Sequence, residues 1–386
     1  MQSLSFRQRI GLELQRSLRH TEAQLHPLRT LFWECTLRCN MACRHCGSDC
    51  KVQPAVKDMP AEDFLRVIDS ITPHVDPHKV FVIFTGGEAL LRPDLEEVGL
   101  ELYRREYPWG VVTNGFLLDE RRLESLMAGG MHSITVSLDG FEADHNWMRC
   151  HPLSFQKATH AIRLLAQQKD LLWDVVTCVN PRNYPRLSEF RDYLVSLGVP
   201  AWRLFSIFPM GRAAGNPELQ FTDEQFRGLL DFIRDCREGN TNALTHSRTN
   251  ALTNPRTDAL THSRTNAFIN VSYACEGFLG PYEQQVRDHF FHCRSGIDVA
   301  SLRCDGAISG CTSVRSRMDQ GNIYRGDDFW DVWQNRFHSM RDRSWTRKDQ
   351  CASCKVWRYC EGSGLHLYDD DGRLLTCHYR RLMAGK

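Results

Sequence analysis

Short apolar runs rich in β-branched and aromatic residues alternate with longer amphipathic stretches between Leu31 and Phe208. Six runs have the length and composition of strands: TLFWECT, KVFVIFT, WGVVT, SITVSL, WDVVTCV and WRLFSIF. The stretches between them place apolar residues three and four apart, as helices do: AEDFLRVIDSI, ERRLESLMAG, SFQKATHAIRLLAQQ and RLSEFRDYLVSLG. This alternation predicts an α/β fold with a parallel sheet, either open or curled into a partial barrel.

Polar and sulfur-containing side chains follow several of these strands directly. In parallel α/β folds the ligand lies at the carboxyl ends of the strands. Cys39, the Gly-Gly-Glu run at 86–88, Asn114, Asp139 and Asn180 all fall at such ends. We therefore expect the functional site at this edge of the sheet.

Beyond the sixth strand the pattern changes twice. Thr222 and Gln225 form a capping box that predicts the start of a seventh helix. Residues 241–264 then read TNALTHSR TNALTNPR TDALTHSR, a polar eight-residue repeat that includes Pro255, and we interpret it as a disordered surface insertion. The predicted organisation is an N-terminal helical extension (1–28), the partial barrel (29–238), the insertion (239–267) and a cysteine-rich domain (268–386).

Charge and apolar runs exclude several classes of protein. The 48 basic residues nearly balance the 47 acidic ones, so nothing predicts binding to nucleic acid. No stretch of 18 apolar residues predicts a membrane span, and 1–27 lacks the apolar run of an export signal. The 16 cysteines are therefore expected to be reduced, in the cytoplasm, and available to metal.

Two motifs carry the first candidate chemistry. Cys39, Cys43 and Cys46 are spaced C-x3-C-x2-C, which suits a zinc site or three corners of a 4Fe-4S cluster whose last iron stays open. At 86–88, two glycines allow a close approach to the backbone and Glu88 can accept from an ammonium group; a tight turn with an exposed Glu is the alternative.

Together, the triad and the Gly-Gly-Glu run at successive strand ends resemble the radical S-adenosylmethionine (radical SAM) superfamily. The resemblance implies a partial (β/α)6 TIM-type barrel and a 4Fe-4S cluster held by Cys39, Cys43 and Cys46. It also implies SAM on the fourth iron, with Gly86, Gly87 and Glu88 at the methionyl amine. One electron would then split SAM into methionine and a 5′-deoxyadenosyl radical, which takes a hydrogen atom from the substrate.

The same resemblance implies further SAM contacts. It puts His45 beside adenine, Ser137 and Asp139 at the ribose, and Arg149 at the SAM carboxylate. Asn114 and the pair Val179 and Asn180 are expected near the adenosine. A surface ion pair is the alternative for Arg149, and an ordinary loop position is the alternative for each Asn.

A second cysteine group lies near the C-terminus with the spacing C-x2-C-x5-C-x16-C, which alone also suits a zinc ribbon. Behind the barrel it resembles the SPASM extension, which implies one complete auxiliary 4Fe-4S cluster on Cys351, Cys354, Cys360 and Cys377. Cys293 and Cys311 have the family spacing of another site, with Cys275 as a third ligand. Gly364 stands where the family has the fourth, which leaves either an open iron or a degenerate pocket. Cys304 is a spare candidate ligand. The remaining thiols are expected to be buried or incidental: Cys35, Cys50, Cys150, Cys178 and Cys236.

Longer phrases such as SLDGFEADHNW and GNIYRGDDFWDVWQNRF resemble the rSAM/lipoprotein-system family. That resemblance implies a genetically linked lipoprotein or small protein as partner, and the chemistry implies a flavodoxin- or ferredoxin-type electron donor. We expect modification of a peptide or protein, with the amphipathic QRIGLELQRSLRHTEAQL segment or a separate protein recognising it.

Three other functions compete with peptide modification. Sulfatase maturation is disfavoured because Thr312 replaces the Asp base that follows the cysteine corresponding to Cys311. A small-molecule enzyme of the haem-pathway kind and a non-catalytic iron-sulfur protein are the others.

Overall fold

In a computed structural model of the chain, the described residues are 4–48, 50–253, 268–274, 277–314 and 318–384, with only the backbone described for 240–253. They form one sheet of ten strands. Its six central strands are parallel and follow chain order: β1 (Thr30–Thr36), β2 (Phe81–Gly86), β3 (Trp109–Thr113), β4 (Met131–Ser137), β5 (Leu172–Val179) and β6 (Ala201–Ser206). All six predicted strands are present, so the parallel α/β barrel sheet is confirmed.

Helices connect these strands. Four of them lie where the amphipathic stretches predicted helices: α2 (Ala61–Ile71), α4 (Glu120–Ala128), α6 (Ser154–Leu165) and α7 (Leu187–Ser196). The quoted stretches did not include α3 (Leu95–Arg104) and α5 (Glu142–Arg149), and α8 (Asp223–Thr253) follows the predicted capping box. Helix α2 buries Phe64, Val67, Ile68 and Ile71, which recur at the three- and four-residue spacing of one helix face. Among the described residues, no helix has both the length and the apolar character needed to cross a membrane.

Aromatic packing joins the first helix of the barrel to the sheet. Trp33 on β1 is fully buried, and its ring stacks on Phe64 of α2 with centroids 4.0 Å apart. Phe84 on β2 meets Trp33 edge to face at 5.3 Å and stacks on Trp109 of β3 at 5.2 Å. This cluster fixes β1, β2 and β3 side by side, and their carboxyl ends carry the site described below.

Helix α8, which follows the sixth strand, begins at the predicted capping box but ends later than expected. Thr222 N donates to Gln225 Oε1 at 3.0 Å and Gln225 N to Thr222 Oγ1 at 3.1 Å, so the predicted capping box is present. Helix α8 continues to Thr253, and the backbone of 241–253 is therefore helical where we expected disorder. Pro255 is the first residue in the repeat that disfavours a helix, which explains why α8 extends into the repeat as far as Thr253. The rest of the repeat lies outside the described residues.

The cysteine-rich segment adds strands to both edges of the barrel sheet instead of forming a separate one. Strand β7 (Asn270–Tyr273) pairs parallel to β6, and β8 (Val299–Leu302) pairs parallel to β1. Beyond β8 come two antiparallel strands, β9 (Ala307–Ser309) and β10 (Gly321–Asn322). Short helices follow: α9 (Phe329–Asn335), α10 (His338–Arg341), α11 (Trp357–Cys360) and α12 (His378–Met383).

The predicted N-terminal extension is a helix, α1 (Phe6–Leu25), that packs on the C-terminal segment. Its Glu13 accepts a hydrogen bond from Tyr359 Oη at 2.8 Å. The buried Arg19 donates to Tyr359 O at 3.1 Å and forms an ion pair with Glu361. The opposite face of α1 exposes large apolar side chains: Phe6, Ile10, Leu14, Leu18 and Leu25.

Candidate functional site

A cavity of about 160 Å³ opens at the carboxyl ends of β1 to β4. The side chains and backbone around it include most of the predicted SAM and cluster residues: Cys39, Cys43, His45, Cys46, Gly86, Gly87, Glu88, Asn114, Ser137 and Arg149. Several residues that the sequence did not assign to the site also line it, among them Cys50 and Arg212. Of the predicted residues, Asp139, Val179 and Asn180 are buried and do not line it.

The three cysteines of the first motif lie on a loop that closes on itself. Cys39 N donates to Lys51 O at 2.9 Å, and Lys51 N donates to Leu37 O at 3.3 Å. The chain therefore returns beside Cys39 after passing through Cys43 and Cys46. Cys39 and Cys43 are buried, and Cys46 is partly exposed. The closure gathers all three thiols at one cavity.

The three thiols differ in how easily they ionise. Burial raises the pKa of Cys39 to about 12, and it raises the pKa of Cys43 although Arg149 opposes the shift. The pKa of Cys46 is lowered despite burial, chiefly through the neighbouring Cys50 thiol, and the Arg212 guanidinium acts in the same direction. Because the thiolate is the form that binds metal, the lowered pKa favours Cys46 as a ligand.

The loop that follows β6 contacts the cysteine loop through hydrogen bonds from Arg212. Its Nε donates to Cys43 O at 2.7 Å and its Nη1 to Cys50 O at 3.0 Å, while its main-chain N donates to Cys46 O at 3.0 Å. At Gly211, with φ of 56°, a Cβ would lie 2.4 Å from Cys46 O, so only glycine permits this approach. No sequence motif predicted this role of Arg212, although the phrase FPMGRAA stands at a strand's carboxyl end.

The glycines of the Gly-Gly-Glu run let β2 dock against the end of β1. A Cβ at Gly86 would lie 2.1 Å from Thr36 O, and one at Gly87 would lie 2.1 Å from Arg38 O. Gly87 N donates to Thr36 O at 2.8 Å. The motif suggested that these glycines allow a ligand to approach, whereas in the structure the chain at the end of β1 already requires them.

The Glu88 carboxylate is buried and bonded within the protein. Its Oε1 accepts from Thr113 Oγ1 at 2.6 Å and from Leu90 N at 3.2 Å, and its Oε2 accepts from Asn114 N at 2.7 Å. Burial nevertheless raises the pKa of Glu88. Asn114 Nδ2 in turn donates to Asn40 Oδ1 at 2.8 Å. Glu88 therefore ties the ends of β2 and β3 to each other and, through Asn114, to the cysteine loop.

A buried ion pair forms the wall of the cavity beside Cys43. Arg149 Nε donates to Asp139 Oδ2 at 2.7 Å, and Arg149 Nη1 lies 3.8 Å from Cys43 Sγ. Asp139 Oδ1 also accepts from Cys178 N at 2.8 Å. Burial opposes ionisation of both partners, but their attraction prevails: the pKa of Asp139 is lowered and that of Arg149 is raised. Arg149 is therefore a fixed positive charge at the cavity, and the Asp139 carboxylate points to Arg149 and the Cys178 amide.

His45 offers a neutral ring to the same cavity. Burial and the nearby Arg149 guanidinium lower its pKa to about 4, so the ring is uncharged at neutral pH. Its Nδ1 is buried and has no hydrogen-bond partner among the described residues. A flat, neutral ring with an unsatisfied nitrogen fits an adenine base placed against it.

The donor set fits a cluster better than a single ion. In the part of the chain that the structure describes, no three His, Cys, Asp or Glu side chains converge as the ligands of one metal ion do. A cubane makes a different demand, because each of its cysteines binds a different iron. Three thiols around a cavity, with Arg149 to balance their negative charge, meet that demand.

The structure brings the four C-terminal cysteines together. The pKa of Cys360 is raised to about 12 by burial and by the neighbouring thiols of Cys377, Cys354 and Cys351. Burial likewise raises the pKa of Cys351, with Cys377 and Cys354 beside it. These are the four residues that the sequence assigned to one auxiliary cluster.

The second auxiliary site is described only in part. Cys275 lies outside the described residues, and Cys293 is buried. Arg343 donates to Cys293 O at 3.5 Å and to Ser363 O at 2.9 Å, which brings the segment with Gly364 near Cys293. The spare thiol Cys304 instead lies 3.6 Å from Glu34 Oε1.

Comparison with known proteins agrees with this geometry. Residues 33–194 match the family model of the radical SAM superfamily, and residues 293–355 match SPASM, an iron-sulfur cluster-binding domain. An AdoMet-dependent heme synthase of Oleidesulfovibrio alaskensis is 25% identical over 358 residues, which are 89% of this chain and 86% of that protein. A mycofactocin maturase of Mycolicibacterium smegmatis is 26% identical over 341 residues, 86% of this chain and 76% of that protein.

Among solved structures, native anSMEcpe with bound AdoMet and Kp18Cys peptide superposes with a TM-score of 0.67 at 18% identity. The match covers 92% of this chain and 95% of that one. At this identity the likeness shows the fold.

Replacing Arg212 with Ala removes its side-chain hydrogen bonds to Cys43 O and Cys50 O in the cysteine loop. We expect the loop to lose about 2 kcal/mol of stabilisation, because the donors are charged, and the triad to retain less iron after anaerobic reconstitution. Iron analysis and the SAM-sensitive EPR signal measure this. Arg163→Ala, at an exposed position on α6, is the matched control; full cluster content in the Arg212 variant would contradict the assigned role.

Replacing Arg149 with Gln leaves the Asp139 carboxylate buried without its ion-pair partner. We expect a loss of roughly 3–5 kcal/mol in the free energy of unfolding, the usual effect of breaking a buried pair, together with weaker SAM binding. The double variant Arg149→Gln/Asp139→Asn should recover stability but not SAM binding. Denaturant unfolding and equilibrium dialysis separate the two effects, and SAM affinity restored in the double variant would exclude a direct contact of Arg149 with SAM.

Proposed function

Because the chain belongs to the radical SAM superfamily and carries an SPASM domain, we propose that Cys39, Cys43 and Cys46 hold its 4Fe-4S cluster at the cavity described above. The protein is a radical SAM enzyme, and its other cofactors are SAM and auxiliary iron-sulfur clusters. The observation that carries the residue assignment is one cavity that joins three thiols, Arg149 and the Gly-Gly-Glu run.

Each wall of the cavity suits a different part of SAM. The Arg149 guanidinium is a fixed cation for the carboxylate, and Asp139 positions it from behind. Gly86 and Gly87 line the cavity, and in this proposal their backbone accepts the methionyl amine. His45 faces adenine, and Ser137 and Asn114 offer polar atoms to the ribose and adenosine.

Bound together, the cluster and SAM supply one-electron cleavage of a C–S bond, giving methionine and a 5′-deoxyadenosyl radical that abstracts hydrogen from a substrate. The chain itself contributes orientation and shielding. Closure of the cysteine loop and the fixed Arg149 charge hold the reacting groups in one arrangement, which lowers the entropic cost of the reaction. The burial of Cys39 and Cys43 limits the access of water and stray hydrogen donors.

We assign Cys351, Cys354, Cys360 and Cys377 to a complete auxiliary cluster, and Cys293, Cys311 and Cys275 to the incomplete one. A flavodoxin- or ferredoxin-type protein is the electron donor in this proposal, and a reducing cytoplasm is the compartment, since the thiols must remain available to iron. Thr312 after Cys311 supplies no carboxylate base, so formylglycine formation is not proposed.

A peptide or protein is the substrate class that we propose. The mycofactocin maturase has nearly the same percentage identity as the heme synthase, over a somewhat shorter match, and helix α1 adds an observation of its own. Its exposed apolar side chains follow one face at four-residue spacing from Phe6 to Leu18, with Arg7 and Arg9 beside them. A stripe of this kind suits an amphipathic polypeptide with acidic flanks. A genetically linked lipoprotein or small protein remains the partner that the sequence resemblance suggests.

A tetrapyrrole is the second candidate substrate. The observation in its favour is the match to AdoMet-dependent heme synthases along nearly the whole chain, with 27% identity over 91% of this chain and 97% of the protein from Methanosarcina barkeri. This candidate leaves the exposed stripe of α1 without a role.

Anaerobically reconstituted protein should form 5′-deoxyadenosine from SAM when dithionite supplies electrons. The Cys39, Cys43, Cys46 triple Ala variant should lose this product completely, because the open iron is lost with the cluster. A triple Ala variant of Cys351, Cys354 and Cys360 is the matched control and should keep SAM cleavage. Liquid chromatography of the product measures both, and equal yields from the two variants would contradict the assignment.

Replacing Leu14 and Leu18 with Glu should abolish modification of a co-expressed small protein from the neighbouring genes while substrate-free SAM cleavage stays unchanged. The physical reason is that two charges interrupt the stripe without reaching the cavity. His20→Glu adds a charge at another exposed position of α1 and is the control. Mass spectrometry of the small protein, beside a porphyrin turnover assay, decides between the substrate classes: porphyrin turnover with an unmodified small protein favours the tetrapyrrole.

A further inference from the structure

Helix α1 contributes one buried charge to the C-terminal cysteine segment. Leu12 and Arg19 are the buried residues of this helix. The Arg19 Nη1 atom donates to Tyr359 O at 3.1 Å, and the same guanidinium forms an ion pair with Glu361. Tyr359 and Glu361 are the residues on either side of Cys360. A single side chain from α1 therefore holds the chain immediately before and immediately after this cysteine.

Glu13 adds two more bonds between α1 and the same turn. Its Oε1 accepts from Tyr359 Oη at 2.8 Å and pairs with Arg358 Nη2 at 2.7 Å. The pair with Arg358 is half exposed, so water screens it and it contributes little. The buried Arg19 is the stronger restraint, because its charge lies where water does not weaken the attraction.

The turn that carries Cys360 is too short to hold its shape alone. Helix α11 (Trp357–Cys360) has four residues, and a single helical turn is unstable in water because it fixes several dihedral angles for one hydrogen bond. It ends at Glu361, whose φ of 42° lies in the left-handed region that residues other than glycine rarely adopt. Such a residue persists only where its surroundings hold it, and the ion pair with Arg19 does so.

A second buried arginine holds the far side of the turn. Arg343 donates to Ser363 O at 2.9 Å and to Cys293 O at 3.5 Å, and Ser363 N donates to Cys360 O at 2.8 Å. The turn is therefore tied to the cysteine-rich segment on one side and to α1 on the other. Of these two arginines, Arg19 is the one that comes from outside that segment.

The other thiols of the predicted auxiliary cluster are brought to the same place. Arg380 Nη2 on α12 donates to Gln350 O at 2.8 Å, which places the segment of Cys377 beside that of Cys351. Four thiols are the number that a complete 4Fe-4S cluster requires. The residues present therefore fit such a cluster, with Cys360 as one of its four corners.

We propose that Arg19 is a positioning residue of the auxiliary cluster, and that it holds Cys360 at its corner from outside the cysteine-rich segment. Each thiolate of a cubane binds a different iron, so a misplaced Cys360 leaves one iron without its protein ligand. Helix α1 is thereby part of the cluster site as well as the surface that we propose for a polypeptide. This inference rests on the proposed assignment of the auxiliary cluster to Cys351, Cys354, Cys360 and Cys377.

The test uses the Cys39, Cys43, Cys46 triple Ala variant as the parent, so that only auxiliary clusters are observed. Arg19→Ala, Cys360→Ala and His20→Ala are introduced into it, and each chain is reconstituted anaerobically and then oxidised with ferricyanide. Ferricyanide takes one electron from a cluster with a poorly held iron, which releases that iron as Fe²⁺ and leaves a three-iron cluster. His20 is the exposed neighbour of Arg19 on α1 and is the control.

We expect Arg19→Ala to give a three-iron EPR signal above that of the parent and to lose about one iron per chain, as Cys360→Ala does. His20→Ala should keep the values of the parent. Arg19→Lys keeps a cation beside Glu361 and should recover much of the lost iron. These readouts report ligation of iron and do not depend on turnover.

A purely structural role of Arg19 gives a different result. Denaturant unfolding would then show a less stable Arg19→Ala without a three-iron signal above that of the parent, which overturns the proposal. If Arg19→Ala does not fold, Tyr359→Phe removes only the hydroxyl that donates to Glu13. It should form the three-iron cluster faster than the parent, and an equal rate overturns the proposal as well.

Failure of the cluster assignment is a separate result. In that case Cys360→Ala itself would keep the iron content and the EPR signal of the parent. A changed Cys360→Ala beside an unchanged Arg19→Ala refutes the role of Arg19 alone.

Discussion

The main-chain bridge between Cys39 and Lys51 is the constraint on which the rest of the site depends. A connection that leaves a strand end is ordinarily mobile, and three thiols on such a connection would lose conformational entropy on meeting one cluster. The bridge restricts the conformations of the loop before any cofactor binds, so less conformational entropy is lost on binding. Arg212 adds a second restraint from the far side of the sheet by holding Cys43 O and Cys50 O. The cluster ligands are therefore held by the protein fold.

Charge in the cavity follows from the same arrangement. The cluster thiolates and the SAM carboxylate are negative groups in a place where burial opposes ionisation. A fixed cation beside them stabilises their charge. Arg149 supplies this cation. Asp139 holds it in place through Oδ2, while Oδ1 of the same carboxylate accepts from Cys178 N. Glu88 has a similar structural role, since its carboxylate accepts hydrogen bonds at the end of β3 and so holds the ends of β2 and β3 together. Residues that a motif suggests as ligand contacts can thus act by holding other groups.

The cysteine-rich segment completes the barrel sheet as well as carrying the auxiliary cysteines. Strands β7 and β8 pair with the outer strands of the six, which covers backbone groups that an open sheet leaves unpaired. Helix α1 then packs on that segment through Glu13 and Arg19. Barrel, auxiliary sites and α1 therefore form one connected framework, and a polypeptide bound on the exposed face of α1 would lie on the same body as the cavity.

The sequence by itself determined the six strands, four of the helices between them, the capping box at Thr222 and the cysteines that the structure gathers. Local periodicity and spacing suffice for these, because each depends on residues near one another in the chain. The tertiary structure decided which side chains meet across distant segments. Arg212 reaches the cysteine loop only once β6 lies beside β5, and Asp139 points to Arg149 and the Cys178 amide because burial demands partners for its charge. The place of Cys50 at the cavity was likewise set by contacts that no short motif contains.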